Sequence, residues 1–226
     1  MTVTASRRTL VRTAVWVGVV ALLVVFWLAG LLATVKPIGE AKSLAAVMGG
    51  GVVFDRVEYV DGIWESRVLP TVEQKSLDLN TLVAALEKDP GAASKAYGND
   101  VGGAYNFLIR FSGTVTAVDA KSETGSLTVS VPFEASVLPV KVLIGPIILG
   151  TALRDAVGFI TFEQFTNQMQ YGGVSDELNE RVMKNVVSKI DLKTLVGKKV
   201  SIDGAFTYDG SNARDLQVTP VIVRME

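Results

Sequence analysis

The chain has 226 residues, with 22 Lys plus Arg against 23 Asp plus Glu and a formal net charge of −1. That balance argues against a nucleic-acid binder, whose surface carries a basic stripe to meet phosphates. Cys and His are both absent, which excludes disulfides, thiolate metal sites, haem ligation and Ser-His-Asp chemistry. A carboxylate site for a hard cation has no loop signature here, so no cofactor is expected.

Residues 1–13 read as a basic cytoplasmic tail, with Arg7, Arg8 and Arg12 and no acid. Ala14 to Val35 then runs without a charge, roughly 33 Å of helix against a hydrocarbon core of about 30 Å. The run is expected to be a single-pass signal anchor, so the membrane is the first expected partner. Basic residues stay on the cytoplasmic side, which puts everything after Lys36 outside the cytoplasm. Three other readings compete: a cleaved signal peptide, a twin-arginine export signal around Ser6–Arg12, and a buried core helix. Leu28-Ala29-Gly30-Leu31 has the form of a lipoprotein processing box with Leu31 in place of the lipidated Cys. Residues 36–53 read as a stalk, broken by Pro37 and Gly39 and jointed at Gly49-Gly50-Gly51.

The extracytoplasmic domain is expected over 54–226, helical over 54–98 and a barrel over 104–226. Asp55-Arg56-Val57-Glu58 has the form of a capping box. Val57, Val60, Trp64 and Val68 then fall on one face, and Pro70 marks the end. Trp64 suits a core anchor better than a stacking platform. A second helix carries Leu79, Leu82, Val83 and Leu86. A third starts at Asp89-Pro90 and closes at Tyr97-Gly98, with Gly98 expected in a left-handed cap.

From Tyr105 the period changes to two: Tyr105, Phe107, Ile109, Phe111, Val115 and Ala117 alternate with polar neighbours. Gly113 inside this long strand predicts a bend or bulge. Leu127–Val131 and Val140–Ile144 give two more strands. Ser175 is expected to cap a helix bearing Leu178, Val182, Val186 and Ile190. Its Glu177/Arg181 and Glu180/Lys184 pairs are expected on the solvated face. Val200–Phe206 and Leu216–Met225 give the last strands, with Pro220 marking an edge or bulge, and Tyr208–Asp215 between them reads as a polar loop. Three strands, a helical insertion and two strands is the order of the OB-fold, a five-stranded Greek-key barrel. The expected class is therefore α+β, a small helical segment followed by an OB-like barrel; a β-sandwich with appended helices is the alternative.

The insertion holds the candidate binding residues. With Thr161–Tyr171 helical, Gln164, Asn167, Gln168 and Tyr171 share one face. These amides and the phenol, beside Arg154 and Asp155, have the donors and acceptors to meet the hydroxyls of a carbohydrate or a polar protein surface. The competing reading is that Arg154 and Asp155 form an internal ion pair and the amides tie the insertion to the barrel.

Gly145-Pro146, the run Gly150-Thr151-Ala152-Leu153-Arg154-Asp155, Phe162, Phe165, Asn167-Gln168, Tyr171 and Leu178-Asn179 resemble an uncharacterised bacterial family of predicted periplasmic lipoproteins, domain-of-unknown-function family 2291. Phe54-Asp55, Tyr59-Val60, Ile63-Trp64, Leu69-Pro70, Tyr97-Gly98 and Gly197-Lys198 extend the similarity over nearly everything after the anchor. The resemblance implies a lipid-anchored protein, from which Leu31 departs, often encoded beside sugar-uptake ABC transporters. It implies no catalytic residues.

The expected function is a membrane-anchored, non-enzymatic accessory or binding module of a sugar-type ABC uptake system. Its partner would be a permease or a solute-binding protein, met through the Arg154–Tyr171 region. The alternatives are a structural envelope protein and a glycoside hydrolase using Asp155 and Glu163 as paired carboxylates. Location and charge both oppose a single-stranded nucleic-acid binder, the remaining use of the barrel.

Overall fold

The computed structural model describes residues 54–225. The basic tail, the 14–35 anchor and the stalk lie outside the described residues. Among the described residues no helix is long and apolar enough to cross a membrane.

Helix α1 (Arg56–Ile63) begins where Asp55 accepts from the Val57 and Glu58 amides at 2.8 and 3.3 Å, meeting two donors the first turn leaves orphaned. The chain does not end its helix at Pro70, as expected. A π-helical turn (Trp64–Val68) leads into α2 (Leu69–Lys75), with Pro70 in the first turn of α2. The wider turn carries the chain past a residue with no N–H to give to a normal helical bond. Val60, Trp64 and Val68 are buried, and Trp64 is a core anchor; Val57 is exposed, contrary to the pattern.

After a two-residue strand β1 (Leu77–Asp78), α3 (Leu79–Lys88) buries Leu79, Leu82, Val83 and Leu86, the stripe its spacing predicts. Helix α4 (Pro90–Tyr97) is capped by Asp89 with Pro90 at its start. Gly98 follows in extended rather than left-handed conformation. A short strand β2 (Asn99–Val101) leads into the barrel.

The barrel strands are β3 (Ala104–Asp119), β4 (Ser126–Phe133), β5 (Ser136–Leu143), β6 (Lys199–Tyr208) and β7 (Leu216–Met225). They run in the order β3-β4-β5-β7-β6, and β6 pairs back onto β3 to close the sheet. The β5–β7 pairing is parallel and the other four are antiparallel. This is the five-stranded OB topology, with the 144–198 insertion between the third and fourth barrel strands. Strands β1 and β2 are additions to it, both pairing with β3.

Phe107 and Phe206, opposite each other in register, stack at 5.3 Å inside. The irregularity in β3 lies between Val115 and Ala117 rather than at Gly113. The extra residue flips the alternation, so Ala117 is exposed and Val118 turns inward. A second bulge sets Pro220 opposite Gly204, the role its missing N–H requires. Outside the barrel, Asp203 is fully buried and accepts from Arg110 on β3 and from Arg224 on β7, the latter at 2.6 Å. Those two arginines also bond Glu73 of α2, tying the helices to the strands.

The insertion departs furthest from expectation. After a short helix α5 (Ala152–Ala156), Thr161–Tyr171 is not a helix: Phe162–Gln164 is one 3₁₀ turn and Phe165 is extended. Helix α6 (Gln168–Asn185) starts at an Asn167 cap and runs through Gly172-Gly173, so Ser175 is a buried interior residue rather than its cap. The Glu177–Arg181 pair does not face solvent. Both are largely buried, and Arg181 also reaches Asp61 at 2.5 Å, while Glu180 pairs with Arg56 at 3.2 Å rather than with Lys184. These charges clasp α6 to α1.

Candidate functional site

The insertion opens at a crossing of two loops. The Ile144 and Gly145 amides both donate to the Gly125 carbonyl at 2.8 Å. A Cβ on Gly145 would come within 2.0 Å of the Gly125 nitrogen, so the crossing demands glycine. Pro146 to Ala152 then form a ridge. Ile147 and Leu149 stand out from it, 48% and 69% exposed, while Ile148 is buried beneath. Gly150 turns the ridge with φ of 97°, a conformation side chains disfavour.

The ridge is held from below. Asn179 of α6, itself buried, donates to the Ile148 carbonyl at 3.1 Å and the Gly150 carbonyl at 2.9 Å. The short helix α5 follows. The Thr151 hydroxyl donates to Asp155 Oδ2 at 2.5 Å, and Arg154 Nε donates to Oδ1 at 2.7 Å. Arg154 Nη1 donates to the Tyr171 carbonyl at 3.2 Å, and its guanidinium lies 3.5 Å from the Tyr171 ring centroid. The Tyr171 hydroxyl donates to Asp155 Oδ1 at 3.3 Å, and Asn99 Nδ2 donates to the Asp155 carbonyl at 2.6 Å. Burial raises the Tyr171 phenol pKa, partly offset by Arg154.

Arg154, Asp155 and Tyr171 are therefore brought together, but inside the protein, with 4–7% exposure. The other three candidates do not join them on a common face. Gln164 accepts from the Tyr59 hydroxyl at 3.0 Å and donates to the Phe159 carbonyl at 2.9 Å. Asn167 caps α6, and Gln168 is exposed in its first turn. Phe165 packs against Phe54, Tyr59 and Tyr171, with centroids 5.3–5.6 Å apart, closing the underside of this region. Asp155, held by Arg154, Thr151 and Tyr171, is no free general base. Glu163 is exposed, and its carboxyl pKa is lowered by hydrogen bonds to its own amide and to Thr161, opposite to what a general acid needs.

Two depressions flank the ridge. One, of about 580 Å³, lies between Ile147–Leu149 and α6, with Met183 at its base and Arg56, Asp176, Glu180 and Lys184 around it. The other, of about 300 Å³, has a polar lining. Its floor is the outer face of β6 and β7, with Thr207, Gln217 and Thr219. One wall is Leu149–Ala152 and the other is the Asp209–Asp215 loop. The Ser211 hydroxyl and amide both donate to Asp209 Oδ1, at 2.6 and 2.9 Å, and lower that carboxyl's pKa. In sequence this loop is only polar, with no sign of the cleft it walls. The signal for the floor is Gln217 and Thr219, two polar residues spaced by two in the first half of a largely apolar strand.

A crystal structure of an OB-fold protein from Thermotoga maritima superimposes with a TM-score of 0.64, at 21% identity, covering 77% of this chain and 100% of that one. That likeness carries the fold alone. No curated protein matches the chain significantly. The model of one family, described as "predicted periplasmic lipoprotein", matches residues 20–224, and the residues that build and brace the ridge lie within that span. The chain belongs to this family, domain-of-unknown-function family 2291.

Proposed function

We propose that the chain is a non-enzymatic, membrane-anchored accessory module that works outside the cytoplasm with a solute-uptake system of the sugar-transporting ABC type. The observation that carries the docking role is the ridge: Ile147 and Leu149 are exposed together on a segment fixed by buried hydrogen bonds. Charged residues of α1 and α6 surround the adjoining hollow. An apolar centre inside a polar rim on a rigid support has the anatomy of a protein-docking patch. Arg154, Asp155 and Tyr171 brace this patch rather than touch the partner. Family membership supports the extracytoplasmic location, and the 14–35 run supports a single-pass anchor. The link to a transporter rests on the resemblance described above.

The test is photo-crosslinking in cells from position 147 of the full-length protein, with Leu149→Asp as the control for recovery of partners. Adducts with a permease or a solute-binding protein, lost in Leu149→Asp, are expected. Recovery of envelope or lipid material alone would replace this reading with that of a structural envelope protein.

A further inference from the structure

The cleft between β6–β7 and the ridge differs from the braced region in one respect: several of its polar groups have no partner. Thr219 is 3% exposed, yet its hydroxyl makes no hydrogen bond among the described residues and borders the cleft. A hydroxyl that opens only onto the cleft, with no protein group on it, is available to a group from outside the chain. Gln217, two residues earlier on the same face of β7, has an amide without a protein partner among the described residues. The Asp215 carboxylate and the Asn212 Nδ2 complete the set on the facing loop. Together they offer a hydroxyl, a full amide, a second amide nitrogen and a carboxylate, the mixed donors and acceptors that neighbouring hydroxyl groups match.

Charge narrows the class. The lining includes Asp209 and Asp215 and no basic side chain. The one cation of the 209–215 loop, Arg214, bonds Glu87 at 2.5 Å and lies over the Phe133 ring, away from the cleft. A phosphate or carboxylate would meet repulsion there with nothing to offset it. Leu149 and Tyr208 supply apolar surface beside the polar groups. The volume of about 300 Å³ is at the lower limit of small-molecule pockets.

We propose that this cleft is a binding site for a neutral, polyhydroxylated small molecule of monosaccharide size. Gln217 and Thr219 hold it from the floor, Asn212 and Asp215 from the loop, and Leu149 and Tyr208 cover its C–H faces. This site is separate from the docking patch, although Leu149 borders both, and it stands whether or not a transporter is the partner.

The experiment is calorimetric titration of the full chain in detergent micelles with glucose, ribose and myo-inositol, against ribose 5-phosphate and glucosamine. At least one neutral compound is expected to bind saturably at millimolar concentration or below. Gln217→Ala and Thr219→Val should each weaken it about tenfold, the scale of one good hydrogen bond. Ile147→Asp, on the other side of the ridge, should leave it unchanged. Gln217 is exposed, so its variant reports on the ligand even where Thr219→Val unfolds. No saturable binding by any neutral compound would overturn the proposal. So would preference for the phosphate or the amine, or wild-type affinity in Gln217→Ala.

Discussion

The Arg154–Asp155–Tyr171 cluster and the β6–β7 cleft lie on opposite sides of the same short segment, Gly150–Ala152, and they use polar residues in opposite ways. In the cluster every charged or hydroxyl group faces another: the Asp155 carboxylate alone accepts from Thr151, Arg154 and Tyr171. In the cleft, Thr219 and Gln217 face open space. The chemistry looks alike in one dimension, and only the partners separate it. Polar residues that satisfy one another build a support, whereas polar residues left without partners at a surface hollow are available for recognition.

The contrast is broken most severely by Arg154→Met. It leaves Asp155 charged and buried without its partner, and a loss of about 3–5 kcal/mol is expected. Adding Asp155→Leu should recover part of it; urea unfolding of both variants measures the difference. Asn179→Ala removes the two bonds to the ridge carbonyls and is expected to cost about 1–3 kcal/mol, with the ridge loosening more than the barrel. Asn167→Ala, losing only a helix cap, should cost about 1 kcal/mol by the same assay. At the other extreme, Gln217→Ala should change stability by less than about 0.5 kcal/mol, because nothing in the protein depends on that amide.

pH separates the two regions as well. The Tyr171 phenol pKa is raised by burial, so its contribution is intact below the ordinary 10.0 and is lost as pH rises through the higher folded value. Asp209 is held low by Ser211, so its contribution is present above the ordinary 3.8 and is lost as pH falls through the lower folded value. NMR titration should therefore show the Tyr171 ring carbons responding in alkali and the Ser211 amide responding in acid.

Much of the barrel was legible in the sequence because strand alternation and strand order are local signals. The Phe107–Phe111 run, the Leu127–Val131 run and the Pro220 bulge all follow from them. The insertion was not, because its interactions are long-range. Gln164, Asn167, Gln168 and Tyr171 fit a helical face by spacing, yet Asn167 competes successfully for the α6 cap and starts the helix there. The i,i+4 spacing of Glu177 and Arg181 was correct, but α1, more than a hundred residues away in sequence, covers that face. Trp64 was placed correctly because its burial follows from the apolar stripe it shares with Val60 and Val68.

The central claim is that the buried cluster holds the ridge in place for recognition. Amide hydrogen exchange of the wild type and Arg154→Met tests it most directly, read at Asp155 and Val157, whose amides bond the Thr151 and Leu153 carbonyls. Slow exchange at both is expected in the wild type and fast exchange in the variant, with the β3–β6 pairing unchanged. Exchange at these two amides as fast as in the 209–215 loop of the wild type, or unaltered by Arg154→Met, would contradict it.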